Sequence, residues 1–167
     1  MPKLKRITVK TETDSYPVII GANSFSSLKK EIEKQNFFRN IFIIIDENVR
    51  KHFLKKIQTN IKTFSTKKDF YTLKKGELAK SHSELNKIYS ALIEKKYGRD
   101  TLILAIGGGV TGDLAGYAAS TYMRGIQLLH VPTTLLADVD SSIGGKTGIN
   151  FNNRKNMIGT FYQPEVA

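Results

Sequence analysis

Three glycines, Gly107, Gly109 and Gly112, satisfy the spacing G-x-G-x-x-G directly after the apolar run TLILAI (101–106). In that context glycine lets a backbone approach a pyrophosphate, and the unpaired N–H groups at a helix start favour its negative charge. The ordinary dinucleotide fingerprint also wants an acidic residue about 20 positions later, at the end of the next strand, to bind a ribose. Here that strand ends in His130-Val131-Pro132. The spacing alone therefore fits a phosphate cradle and a tight strand–helix turn equally well.

Asp46 follows the run IFIII (41–45), where a carboxylate can accept both hydroxyls of a ribose or cap the helix that follows. Glu77 and Lys80, after Gly76, read equally as an exposed surface pair. The densest polar stretch runs from Asp138 to Asn156 and includes Asp140, Lys146, Asn150 and Lys155. Because long structureless connections are uncommon in compact domains, this stretch reads as a loop that lines a ligand site, and its cations and amides suit an anionic, polyhydroxylated ligand. Arg124 offers a bidentate grip on phosphate or carboxylate, with a surface salt bridge as its plain alternative. His52, His82 and His130 are scattered, and no cysteine completes a metal set, so each reads as structural.

The elements that must position these groups follow from apolar patterning. Ile7 and Val9, the turn TDSYP (13–17) and Val18 to Ile20 predict an antiparallel hairpin. Phe25, Leu28 and Ile32 share a helical face, IFIII is a strand buried on both sides, and an amphipathic helix starts near Val49. A weaker strand is expected from Thr63 to Leu73. Next comes a helix carrying Leu85, Ile88 and Leu92, with Ser81 and Glu84 as a capping box and Gly98 as its close. TLILAI, the glycine turn with its helix, and IQLLHV (126–131) complete an alternation of strands and helices. Such alternation implies an α/β fold: a Rossmann-like, mainly parallel sheet flanked by helices, with the N-terminal hairpin appended.

The 167 residues suffice for one domain. Formal charge is +11, and all of the excess falls in residues 1–100, where lysines such as Lys51, Lys55 and Lys56 alternate with apolar positions. That distribution reads as a solvated face, without the arginine–aromatic interleaving of a nucleic-acid surface. No run approaches a membrane span or a signal peptide, so a cytoplasmic protein is expected.

Three stretches, GGGVTGDLAGYAASTYMRG (107–125), HVPTTLLADVDSSIGGKTGIN (130–150) and RKNMIGTFYQP (154–164), resemble the 3-dehydroquinate synthase family. The resemblance runs from near Ile41 to the last residue. It implies that residues 1–167 are the NAD-binding α/β domain of an enzyme converting 3-deoxy-D-arabino-heptulosonate 7-phosphate to 3-dehydroquinate and phosphate. It also implies NAD and a divalent metal (zinc or cobalt) as cofactors, a phosphorylated sugar acid as small-molecule partner, no nucleic acid or membrane partner, and a homodimeric full-length enzyme.

Carried over by motif, Asp46 and Asn48 would approach the adenosine ribose. Glu77 and Lys80 would make the cofactor contacts of a GExxK stretch, which here reads KKGELAKS and lacks the usual preceding Pro-Asp-Gly arrangement. Gly108, Gly109, Val110 and Asp113 would line the pyrophosphate and nicotinamide side, Thr133 and Thr134 would close over the cofactor, and Lys155 would touch it. Arg124, Asp140, Lys146 and Asn156 match substrate-binding positions. The family's metal ligands, one Glu and two His, would lie in an α-helical domain beyond the last residue. This stretch would then hold no metal ligand and no certain catalytic residue, and alone it would be silent. Other readings are a different sugar-phosphate cyclase, a metal-dependent glycerol or alcohol dehydrogenase, and a non-catalytic nucleotide- or nucleic-acid-binding module.

Overall fold

A computed structural model describes residues 4–12, 14–34, 38–62 and 66–167. Thr13 of the expected first turn and Thr63 at the expected start of a strand lie outside the described residues. The chain opens with β1 (Lys5–Lys10) and β2 (Ser15–Ile20), paired antiparallel as the patterning requires. A short 3-10 turn leads into α1 (Leu28–Lys34).

The centre is a parallel sheet of β3 (Asn40–Asp46), β4 (Lys67–Leu73), β5 (Thr101–Gly107) and β6 (Gln127–Pro132), in the order β4-β3-β5-β6. The crossovers are α2 (Glu47–Ile61), α3 (His82–Glu94) and α4 (Gly109–Thr121). Burial on both faces explains the unbroken apolar runs. Phe42 and Ile44 of β3, with Ile103 and Ala105 of β5, point into a core shared with α3 and α4. Their neighbours Ile41, Ile43, Ile45, Leu102, Leu104 and Ile106 fill a second core with α1 and α2. Each fully buried aliphatic side chain contributes about 1.5–3 kcal/mol, so two such layers dominate the stability of the domain.

Two local expectations are corrected. Helix α3 ends at Glu94, and the reversal is made by Lys96 in the left-handed region (φ 54°), not by Gly98. The capping box is half formed: Ser81 Oγ accepts from the Glu84 N–H at 3.3 Å, but the Glu84 carboxylate accepts from Tyr71 Oη (2.7 Å) and Lys87 Nζ (2.8 Å).

A third correction concerns the polar stretch after Thr133. It is a helical turn over 135–141 followed by an antiparallel hairpin, β7 (Lys146–Phe151) and β8 (Arg154–Phe161), packed on α4. The last residues then stitch distant strands together. Glu165 N–H donates to Leu128 C=O (2.8 Å), Val166 C=O accepts from His130 N–H (3.0 Å), and Ala167 exchanges backbone hydrogen bonds with Pro17 and Ile19.

Candidate functional site

Strand order places the candidate residues before any side chain is considered. From β3 the chain moves outward to β4, then returns past β3 to β5, so the direction of winding reverses between β3 and β5. In open parallel sheets ligands bind at such a switch point, at the carboxyl ends of the strands. Asp46 ends β3 and Gly107 ends β5, flanking that point. Asp46 also caps α2: its Oδ1 accepts from the N–H groups of Asn48 (2.8 Å) and Val49 (3.3 Å).

The glycine elbow is closed over by the segment after β6. Thr133 N–H donates to Gly107 C=O (3.0 Å), and Thr134 Oγ1 accepts from Ala137 N–H (3.2 Å), starting the helical turn over 135–141. A Cβ on Gly108 would lie 3.2 Å from Thr134 Cγ2, and one on Gly109 would lie 3.3 Å from Ser141 Oγ. Glycine thus lets these walls come close to the start of α4. No side chain caps that helix, and the N–H groups of a first helical turn have no intrahelical acceptor, so the elbow offers donors to an anion.

Beside it lies the densest polar network of the candidate residues. Lys80 is a buried lysine, 4% exposed, and its ammonium donates to both the Asp113 carboxylate and Asn156 Oδ1. Burial pushes the Asp113 carboxyl above the usual carboxylate range, and the neighbouring ammonium offsets only part of that rise. The Lys80 C=O accepts from Asn150 N–H (2.9 Å), Asn150 Nδ2 donates to Glu77 Oε1 (2.9 Å), and Asn150 Oδ1 accepts from Asn156 N–H (3.0 Å). Five residues from three parts of the chain are therefore one connected system. Of these, Asn150 is marked by the sequence only as a member of the polar stretch read as lining a ligand site, with no role of its own.

Other candidates stand apart from that network. Lys146 and Asp140 approach to 3.7 Å, but both side chains are mostly exposed, so this pair is worth little. Lys155 is exposed. Arg124 is not brought to the cluster. It follows α4, whose 13 residues span about 20 Å, and so it lies toward the opposite end of the sheet from the elbow.

His130 is buried against Gly112, and desolvation depresses its pKa to about 4, which keeps it neutral and structural. A cavity of about 570 Å³ opens elsewhere, between the N-terminal hairpin and the end of β6, lined largely by residues such as Ile19, Phe25, Leu129 and Val139. It is mainly apolar and lacks the convergent polar groups found around Lys80. Among the described residues no three His, Asp or Glu side chains gather into a metal-binding group. No described helix is long and apolar enough to cross a membrane.

Comparison with known proteins falls on this same architecture. Residues 70–167 match the family model described as 3-dehydroquinate synthase N-terminal. A 3-dehydroquinate synthase from Alkaliphilus oremlandii is 46% identical over 153 residues, covering 92% of this chain and 42% of that protein. The chain thus spans less than half the length of that relative. A crystal structure of 2-deoxy-scyllo-inosose synthase complexed with carbaglucose-6-phosphate, NAD+ and Co2+ superposes with a TM-score of 0.89 at 28% identity, over 97% of this chain and 44% of that one. A 2-epi-5-epi-valiolone synthase from Streptomyces hygroscopicus, with NAD+ and Zn2+ bound, gives 0.81 at 27% identity over 97% of this chain and 44% of its own.

Proposed function

The chain belongs to the 3-dehydroquinate synthase family, and from that premise we propose that residues 1–167 form the NAD-binding half of such an enzyme. The reaction we assign is conversion of 3-deoxy-D-arabino-heptulosonate 7-phosphate to 3-dehydroquinate and phosphate. The 46% identity to a curated synthase, against 27–28% to solved cyclases with other products, favours this substrate within the superfamily. The observation that carries the reading is the junction of the buried Lys80 with Asp113 and Asn156, beside an uncapped glycine elbow at the sheet's switch point.

The residues present fit a dinucleotide. The first-turn N–H groups at Gly109 and Val110 would face the pyrophosphate, with Gly108 allowing the approach. Asp46 and Asn48 would face the adenosine ribose, while Glu77, Lys80 and Asp113 would hold the nicotinamide side under Thr133 and Thr134. When bound, NAD supplies a reversible acceptor for hydride from a ring alcohol. Lys155 would add a cation at the cofactor. Lys146, Asp140 and Asn156 would orient the substrate's anionic and hydroxyl groups. Arg124, at the far end of α4, matches a substrate-binding position by motif and stands apart from the network around Lys80. Positioning one substrate against these groups is the chain's own contribution.

The described residues do not offer a ligand set for a divalent metal. A second, metal-binding half would have to supply it, so the 167 residues alone are expected to be catalytically silent. A homodimeric, cytoplasmic enzyme completes the proposal.

Calorimetric titration of NAD into this chain tests it. Saturable one-to-one binding is expected, with Gly109→Val weakening affinity by roughly ten-fold or more, because its side chain fills the space beneath Ser141. Unchanged affinity in that variant, or no binding by the parent chain, would defeat the assignment.

A further inference from the structure

Asn150 sits where β7 and β8 fall out of register. Ile149 pairs with Ile158 and Phe151 with Arg154, so Asn150 alone faces the three residues 155–157 of the opposite strand. Such a bulge removes ladder hydrogen bonds and re-aims side chains. Here it also leaves Asn156 in the left-handed region, with φ 55°. An asparagine tolerates that conformation, but the backbone N–H freed by the bulge still needs an acceptor.

Asn150 supplies it, and the chemistry of its neighbours fixes which way its amide points. Glu77 Oε1 only accepts and the Asn156 N–H only donates, so Nδ2 must face Glu77 and Oδ1 must face Asn156. Its own N–H is spent on the Lys80 carbonyl. One residue thereby ties the segment holding Glu77 and Lys80 to the residue whose side-chain oxygen meets the Lys80 ammonium.

We propose that Asn150 is a positioning residue: through its side-chain amide it fixes Glu77 and Asn156 relative to one another, so that the cofactor-facing and substrate-facing sides of the cleft are set together. The roles of those two sides rest on the function proposed above. The tie itself is independent of that function. An aspartate at position 150 would place a carboxylate against Glu77, whereas a glutamine at position 77 would turn that repulsion back into a hydrogen bond.

The experiment uses this chain with Asn150→Asp, Glu77→Gln and both together. Amide hydrogen exchange at Asn156 is followed by NMR, and NAD affinity by calorimetry. Asn150→Asp is expected to speed exchange of the Asn156 amide roughly ten-fold and to weaken NAD by a similar factor, the size of one lost hydrogen bond to a charged group. Adding Glu77→Gln should restore the Asn156 protection. A residue that only packed the hairpin would show no such rescue.

If Asn150→Asp alone fails to fold, recovery of a dispersed spectrum in the double variant supports the tie. Unchanged exchange at Asn156 in Asn150→Asp overturns the proposal, and so does failure of the double variant to recover. Should the parent chain bind no NAD while exchange follows the expected pattern, the cofactor reading falls and the tie stands.

Discussion

The parallel sheet and the outer strand of the C-terminal hairpin are built on different principles. In β3 every residue from Ile41 to Ile45 is fully buried, and β5 is buried along its whole length. In β8 all residues but one are exposed. The sheet is held by area removed from water, which is large and indifferent to detail. The hairpin anchors Ile149 in the core beside α4 and is otherwise held by directional contacts: Thr160 Oγ1 to Ser120 Oγ at 2.8 Å, Tyr162 Oη just after β8 to Ile126 C=O at 2.9 Å, and the Asn150 tie. Burial gives the domain its stability, and specific polar contacts give the cleft its shape.

The largest expected effect is therefore in the sheet. Ile44→Ala removes a fully buried side chain from the layer shared with α3 and α4, and should cost about 3–4 kcal/mol in urea unfolding. Amides of the sheet and the hairpin should lose protection together. A cost below about 1 kcal/mol would mean that the sheet does not dominate stability.

A smaller effect lies at the joint between the two regions, where His130 is buried beside Gly112 of α4 and its backbone holds Val166. Its folded pKa of about 4 is below the unfolded value of about 6.5. Its contribution is thus fully present above the unfolded value and is lost as pH falls, because the unfolded chain takes up the proton first. The loss should reach roughly 2 kcal/mol at pH 5. Comparing unfolding at pH 7 and pH 5 in the parent and in His130→Gln isolates it, and an equal pH-dependence in both would assign the effect elsewhere. Glu31, Glu84 and Asp69 have lowered pKa values, so they add acid sensitivity mainly below this window.

The smallest effect on global stability is expected in the hairpin. Gly148 and Gly159 face each other across β7 and β8, and a Cβ on Gly159 would collide with the backbone carbonyl of Thr147. Gly159→Ala should therefore splay the hairpin at a cost of about 1–2 kcal/mol. Exchange at Gly148 and Ile149 should rise, while Ile43 and Leu104 keep their protection. Equal loss at the sheet amides would erase the distinction between the regions.

That distinction also explains what could be read in advance. IFIII and TLILAI are legible because a strand buried on both faces has no choice but an unbroken apolar run. The hairpin was read as a loop because β8, RKNMIGTF, is exposed at nearly every position and carries no alternation. Motif spacing brought Asp113, Lys80 and Asn156 into view. It could not show that a lysine in a charged, glycine-led stretch is 4% exposed, nor that Asn150 reaches Glu77, because those contacts arise from crossover topology. Arg124 matches a substrate-binding position by motif, and spacing could not show that the length of α4 sets it apart from the network around Lys80.

The stitch formed by Glu165 to Ala167 has a consequence for synthesis. The four parallel strands are complete once Pro132 has emerged from the ribosome, yet β2, already paired with β1, gains its second backbone partner only when Ala167 appears, nearly the whole length of the chain later. Contacts of such sequence separation form slowly. The first hairpin made is thus among the last pieces locked, and a nascent chain would carry it unfastened while the sheet assembles.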